Sequence, residues 1–407
     1  MILVNAHFMK RLCLVSFLMF QIVMIAQTEN FWTKKADFSG LKRSRAVSFS
    51  INDMGYIGTG IDTSESVFND LWQYDPVLNS WTQKADLPGV GRRNAMSFEV
   101  NGKGYVGCGM SHAQSQLGIA LKDFWEYDPV NNQWSSIDDF DDGRIYFGTG
   151  FSIGNKGYVC GGKYGPNDYS DELWEYDPST DTWDKKEDFP GGYRYQLTSF
   201  SISDLGYVGL GTDQDMHRND FWQYDPITDE WTQKGNFPAS ERGSTHSFVI
   251  HEKGYICMGS NGAMLDDLWQ YEPLNDSWSV KATYGGSPRK NGVAFVALGK
   301  GYVGTGKGYS GKKQSFWAYT PQAYAGVNSN ELNAFKVSPN PANNAVTISL
   351  ETKLFDRLEI HSFKGDILMS QKSQKNFSLE GIERGSYFVV LKDNNGTVIG
   401  KEKLIIN

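Results

Sequence analysis

The stretch Asp70–Lys84, DLWQYDPVLNSWTQK, sets two tryptophans and a tyrosine around a Tyr-Asp-Pro turn. The chain writes it again as DFWEYDPVNNQWSS from Asp123, ELWEYDPSTDTWDKK from Glu172, DFWQYDPITDEWTQK from Asp220 and DLWQYEPLNDSWSVK from Asp267. A shortened copy, FWAYTP, begins at Phe316. The first tryptophans of the copies are Trp72, Trp125, Trp174, Trp222, Trp269 and Trp317. Their period of about fifty residues is that of a stacked or circular array.

Each period has the same parts. An arginine leads into a small-residue strand (RRNAMSFEV), a glycine-rich apolar strand follows (GYVGCG), and a loop of variable length precedes FWEYDP and QWSSI. Apolar and polar positions alternate, so the four segments read as strands of one antiparallel sheet. Glycines in the second strand let neighbouring sheets approach, and the Trp and Tyr side chains fill the wedge between them. These aromatics are therefore read as core. The Asp-Pro pair, with the Asn, Ser or Asp residues after it, sets the turn between the last two strands.

Composition agrees with an all-β chain. Of 407 residues, 14% are aromatic and 44 are glycine, against 13 prolines, which describes a folded, glycine-punctuated protein. The net charge of -8, with both signs interspersed, leaves no basic stripe for a phosphate backbone, so nucleic acid is excluded as a partner. At the N-terminus, Lys10 and Arg11 precede an apolar run from Leu12 to Ile25. Residues 1–26 read as a secretory signal peptide, with translation starting at Met1 or Met9. The run falls short of the ~20 residues that a membrane span needs, and no other segment approaches it. Beyond the signal, Cys108, Cys160 and Cys257 fall in three different repeats and read as small buried side chains, neither a disulfide framework nor a zinc site.

The repeats resemble kelch repeats, which implies β-propeller blades over residues 27–321. The family's paired glycine is intact only at Gly161-Gly162; other repeats split it, as in Gly58-Thr59-Gly60 and Gly209-Leu210-Gly211. Six blades are expected. FWTKKADF, at Phe31–Phe38, matches the outer strand SWTQKADL of a repeat yet has no predecessor. The sequence therefore predicts that this N-terminal strand completes the sixth blade and closes the ring, leaving no open sheet edge.

After Pro321 the period stops. Residues 322–334 read as a linker, and 335–407 as a small β-sandwich whose strands are broken by Asn, Gly and Lys turns. Pro339-Asn340-Pro341, GIERGSYFVV from Gly381 and the terminal Lys403-Leu404-Ile405-Ile406 resemble the type A C-terminal sorting domains of type IX secretion in the Bacteroidetes. The resemblance implies a partner in that secretion machinery, passage through the periplasm, and a secreted or outer-membrane-surface product.

The repeats align Arg43, Arg92, Arg194, Arg242 and Arg289 at one position, where the third repeat has Ile145. In a propeller this is where the innermost strand enters the ring. Two residues on, and on the same side by strand alternation, stand Arg45, Asn94, Phe147, Gln196, Ser244 and Asn291. Together they predict a polar, cationic channel mouth, joined by His112, Tyr164, His217 and Tyr309 from the loops between second and third strands. Candidate ligand-binding residues are Arg43, Arg45, Arg92, Asn94, Arg194, Gln196, Arg242, Arg289 and Asn291. Guanidinium groups there suit a carboxylate or hydroxylated ligand. The same arginines could instead recur to pair with aspartates and loop carbonyls of the fold. The expected function is a secreted or surface binding module for a glycan or protein ligand, with no cofactor and no metal. The alternatives are a structural surface protein or a sugar-acid enzyme similar to the six-bladed N-acetylneuraminate epimerases, for which no carboxylate stands out as the base. A galactose-oxidase-like copper site is not expected, because His112, His217, His246 and His251 form no repeated ligand pair.

Overall fold

The computed structural model describes residues 30–111, 118–214 and 216–321, and, further on, 335–338, 340, 342–343, 345–350, 355–361, 367–373, 376–392 and 398–406. The expected signal segment 1–26, the linker 322–334 and His112 lie outside the described residues. The chain divides into two units, Met1–Pro321 and Gln322–Asn407.

In the first unit the described residues form six four-stranded antiparallel sheets. Blade 1 consists of Val47–Ile51, Met54–Gly58, Leu71–Asp75 and Ser80–Lys84, from innermost to outermost strand. Blades 2 to 5 repeat that order over residues 96–137, 149–186, 198–234 and 246–280. Blade 6 takes its first three strands, Val293–Ala297, Lys300–Gly304 and Phe316–Thr320, from the end of the unit. Its outer strand is Phe31–Lys35, paired in register Trp32 to Tyr319. The all-β propeller expected from the repeats is what the first unit forms.

Three sets of contacts join neighbouring blades, and each recurs six times. The first is a latch at the outer strands. Asn79, Asn132, Asp181, Asp229 and Asp276 sit at φ between 50° and 56° in the turn between third and fourth strands. Asn and Asp tolerate this left-handed conformation best. The Asn79 Oδ1 accepts the Tyr74 hydroxyl at 2.6 Å from its own blade and the Ala36 N–H at 3.0 Å from the preceding one. Trp81 Nε1 donates to the Ala36 carbonyl at 3.3 Å, so both polar groups of that peptide are held. The N-terminal strand supplies the sixth copy. Asn30 Oδ1 accepts from Tyr319 Oη at 2.9 Å and Ala282 N at 3.1 Å, and Trp32 Nε1 donates to the Ala282 carbonyl at 3.0 Å.

The second contact is a socket between second strand and neighbouring first strand. A Cβ on Gly104 would come within 2.3 Å of the Phe49 ring, one on Gly301 within 2.3 Å of Phe248, and one on Gly55 within 2.0 Å of Phe295. Glycine here lets adjacent sheets touch, and the ring that fills the space is buried. Gly301→Ala is accordingly expected to destabilise the propeller by about 3 kcal/mol, at the upper end for an overpacked core, because the Phe248 ring it meets is buried and has no space to swing into. Thermal denaturation of the variant against wild type measures it.

The third contact is a pair of backbone rings around the axis. The N–H groups of Arg45, Asn94, Phe147, Gln196, Ser244 and Asn291 each donate to the carbonyl of the equivalent residue in the preceding blade, at 2.8 to 3.3 Å. Arg45 takes that of Asn291, so the cycle returns on itself. A parallel cycle runs from the glycine N–H groups at 60, 109, 162, 211, 259 and 306 to the carbonyls at 92, 145, 194, 242, 289 and 43.

The second unit has a three-stranded sheet (Phe335–Ser338, Ala345–Leu350, Asn376–Ser378) and a four-stranded one (Ile367–Lys372, Arg357–His361, Gly385–Lys392, Val398–Ile406). Val337, Val346, Ile348 and Phe377 of the first share one core with Leu358, Ile360, Val389, Leu391 and Leu404 of the second.

Candidate functional site at the channel mouth

The repeat arginines lie behind the mouth and do not line it. Arg43, Arg92, Arg194, Arg242 and Arg289 are at most 2% exposed. Arg92 forks onto Asp123, Nη1 to Oδ1 at 3.0 Å and Nη2 to Oδ2 at 2.6 Å, and Nη1 also donates to the Cys108 carbonyl at 3.2 Å. Arg43 does the same with Asp70 and the Thr59 carbonyl, whereas Arg242 and Arg194 reach Asp267 and Asp220 through Nη1 alone, which also donates to the Met258 and Leu210 carbonyls, and turn Nη2 to Ser240 Oγ and the Gly191 carbonyl. Arg289 meets Ser315 instead of an aspartate and holds the Thr305 carbonyl at 2.9 Å. The sequence placed these five arginines at the mouth; the structure buries them in the blades, where every guanidinium nitrogen except Arg194 Nε has a partner.

The carbonyl they hold explains why arginine recurs. Thr59, Cys108, Leu210, Met258 and Thr305 occupy the first position of the split glycine pair at φ of 53° to 61°. A non-glycine residue there costs roughly 1–2 kcal/mol, so the surrounding contacts must impose the conformation. The guanidinium does so by bonding the carbonyl and the aspartate that opens the third strand. Blade 3, which has Ile145 in place of the arginine, also has Gly161 in this slot, where no penalty arises. Burial alone would raise the Asp123 carboxyl, yet the bonds and charge of Arg92 and the Trp125 indole hold it below the ordinary carboxylate range.

Two residues beyond each arginine, the backbone turns left-handed again. Arg45, Asn94, Phe147, Gln196, Ser244 and Asn291 have φ between 53° and 65°. These are the residues of the first backbone ring, and they line a cavity of about 120 Å³ on the propeller axis together with Ala46, Thr245 and their equivalents. Four expected site residues, Arg45, Asn94, Gln196 and Asn291, are therefore brought together.

The Arg45 side chain makes no hydrogen bond or ion pair among the described residues; its Cζ lies 5.3 Å over the Phe147 ring. Burial and the charge of Arg93 press its pKa down, with Glu65 opposing. Lys290 is lowered in the same way, by burial and then by Lys307 and Arg45. Cations thus crowd one rim in a protein of net charge -8. Asn94 is 7% exposed, and its Oδ1, like the Thr245 Oγ1, has no partner among the described residues. Across the channel, Phe147 meets Tyr195 at 5.9 Å, and the Lys163 ammonium lies 4.5 Å from the Tyr195 ring and 4.7 Å from Tyr169.

Reasoning from the sequence missed Arg93, Lys163 and Lys290. Each bridges across the entrance, Arg93 to Met110, Tyr146 to Lys163 and Lys290 to Lys307. The available signal was the residue immediately after the repeat arginine for Arg93 and Lys290, and the one immediately after the glycine pair for Lys163. Of the loop residues, Tyr164 bonds Asp142, His217 Nδ1 lies 2.9 Å from Thr212 Oγ1, and the exposed Tyr309 accepts the Met264 N–H at 2.9 Å. His246 is buried in blade 5, where burial and then Arg289 push it down to about 3. The three cysteines are free and buried.

Residues 143–306 match the KLHDC2/KLHL20/DRC7 Kelch-repeats domain, and residues 336–407 match the Secretion system C-terminal sorting domain. Among solved structures, that of YjhT superimposes with a TM-score of 0.57 at 17% identity, over 68% of this chain and 94% of that one. At that identity the likeness is one of fold. No curated protein matches.

Proposed function

We propose that this kelch-repeat propeller, exported by way of its sorting domain, is a secreted or cell-surface binding module that takes an acidic glycan at the channel mouth. The sorting domain itself supports a secreted or surface protein that engages the secretion machinery. Residues 1–26 would serve as the signal peptide and 335–407 as the sorting segment.

One observation carries the reading of the mouth. The Arg45 guanidinium stands in the axial cavity with no hydrogen bond or ion pair among the described residues, and Asn94, whose buried Oδ1 has no partner among them, lines the same cavity. Crowded cations are relieved by an anion, and a guanidinium fork matches a carboxylate. Unpartnered acceptors such as Asn94 Oδ1 ask for a donor, which a sugar hydroxyl supplies. The cavity, about 120 Å³ and open at the mouth, admits a carboxylate with a neighbouring hydroxyl. The ring itself would lie above, against Phe147 and Tyr195. Arg45 is the only ionisable side chain among the lining residues, which favours binding over proton transfer.

An array of acidic glycans, neutral glycans and acidic peptides, probed with the purified protein, tests this. Acidic glycans are expected to bind, and Arg45→Ala to lower that affinity more than tenfold, the value of a charge-assisted bond. Its melting temperature should stay within about 2 °C of wild type, since a half-exposed guanidinium without an ion partner contributes little to stability. Preference for acidic peptides would move the proposal to a protein ligand. Binding unchanged in Arg45→Ala would overturn it.

A further inference from the structure

Blade 3 departs from its neighbours at three linked positions. Where blades 1, 2, 4 and 6 have glycine and blade 5 has Ala239 three residues before the arginine, it has Asp142; where they have the arginine, Ile145; and Glu172 stands where Asp123 or Asp220 would. In blade 2 a Cβ on Gly89 would come within 2.4 Å of Arg92 Nη2 and 2.9 Å of Asp123 Oδ2, so side chain and guanidinium compete for one space. In blade 3 the Asp142 carboxyl accepts the Tyr164 hydroxyl, and its place, like that of a Cβ on Gly89 or Gly191, sets it against the carboxyl that opens the third strand, here Glu172. Trp174 Nε1 donates to Glu172 Oε2 at 2.9 Å, as Trp72, Trp125, Trp222 and Trp269 do to Asp70, Asp123, Asp220 and Asp267. Two carboxyl groups set against each other favour a shared proton, because two carboxylates offer no donor and repel.

Tyr164 stands on a second strand twice the usual length. Lys156–Gly165 and Asp168–Asp177 are ten residues each, against five in blade 2. The extension carries Lys163 and Tyr169 to the rim, where Lys163 bridges to Tyr146. Asp142 therefore ties the entrance of blade 3 to this hairpin.

We propose that a proton shared by Asp142 and Glu172 takes the place of the missing guanidinium, and that its loss loosens residues 141–146 and the hairpin tip at 163–170, making blade 3 a pH-sensitive latch beside the mouth. The charged groups facing the pair are few. Lys185 donates to Glu172 Oε1 at 2.5 Å and is shared with Asp188 at 3.3 Å. Asp171 lies beside Glu172 and Asp188, and its carboxyl is raised by burial and by their charges. The Cys108 thiol, within the field of Asp142, is raised by burial. Arg144 points away to the Ala120 carbonyl at 3.1 Å. Burial, with Glu172 adding to it and Tyr164 and Lys185 opposing, pushes Asp142 up to about 7, while Lys185, Trp174 and Asp142 hold Glu172 down against its own burial.

The sign follows. A carboxyl raised from its ordinary 3.8 to about 7 contributes stability fully present below 3.8 and lost as pH rises through 7. For one proton, the ratio of closed to open latch should fall about a hundredfold between pH 5 and pH 8. Hydrogen exchange on the full chain, read by mass spectrometry and corrected for intrinsic rates, measures this directly. Peptides spanning 141–146 and 163–170 should lose protection over that range while the equivalent peptides of blade 2 and blade 4 do not. Asp142→Asn, which keeps a donor to Glu172 and an acceptor for Tyr164 without titrating, should abolish the dependence. Protection in wild type that is flat from pH 5 to 8, or a dependence that survives in Asp142→Asn, would overturn the proposal. The wild-type titration decides even if the variant fails to fold.

Discussion

Arg92→Ala is expected to destabilise the propeller by about 3–5 kcal/mol, the cost of removing one partner from a buried, hydrogen-bonded ion pair. Arg92 is fully buried, Asp123 keeps a third of its side chain exposed, and the Cys108 carbonyl at φ 54° loses its donor as well. The melting temperature should drop by roughly 10 °C, given the 2–4 °C per kcal/mol usual for domains somewhat smaller than this one. Arg242→Ala should behave alike, whereas Arg45→Ala, two residues beyond another repeat arginine, should melt like wild type. Because Arg92 holds the Asp123 carboxyl below its ordinary value, the pair's contribution is present above pH 4 and fades as pH falls, so wild type and variant should converge in acid. Any glycan bound by wild type should bind the folded fraction of Arg92→Ala unchanged. An Arg92→Ala protein that melts normally but has lost ligand would return the arginine layer to the binding site.

The other large effect concerns the N-terminal strand. Trp32 packs edge-on to Tyr284 at 4.9 Å and against Tyr319 at 5.3 Å, and its indole N–H holds the Ala282 carbonyl. Trp32 is half-buried, so Trp32→Ala should cost about 2–3 kcal/mol, just below the range for truncating a fully buried aromatic. Asn30→Ala removes an acceptor shared by Ala282 N–H and Tyr319 hydroxyl and should cost about 1–2 kcal/mol. Trp81→Ala, in the equivalent place of blade 1, is the internal standard. Equal losses at Trp32 and Trp81 mean that a strand nearly three hundred residues from its partners in sequence is bound as firmly as one joined by a turn. Wild-type melting of a chain lacking residues 30–35 would mean that the ring holds without it.

The strands, their order within each sheet and the pairing of Phe31–Lys35 with the last repeat were legible in the sequence, because these depend on alternation and on turn chemistry within a few residues. Asp70–Lys84 shows its two strands without reference to anything else, and FWTKKADF announces its place by matching SWTQKADL. The sorting segment was legible for the same local reason. What the arginines do was not. Placing Arg92 and Asn94 on one side assumed an unbroken strand, but Asn94 is left-handed at φ 54°, which breaks the alternation. One side chain turns into the blade and the other onto the axis. Arg92 meets Asp123, thirty-one residues on, only because the second strand returns to the entrance, so the pairing is a property of the sheet and not of the segment. Blade 3 makes the same point from the other direction. Ile145 reads in the sequence as a missing arginine, and only packing brings Asp142, Tyr164 and Glu172 into the space it leaves, where two acids must share what a cation supplies elsewhere.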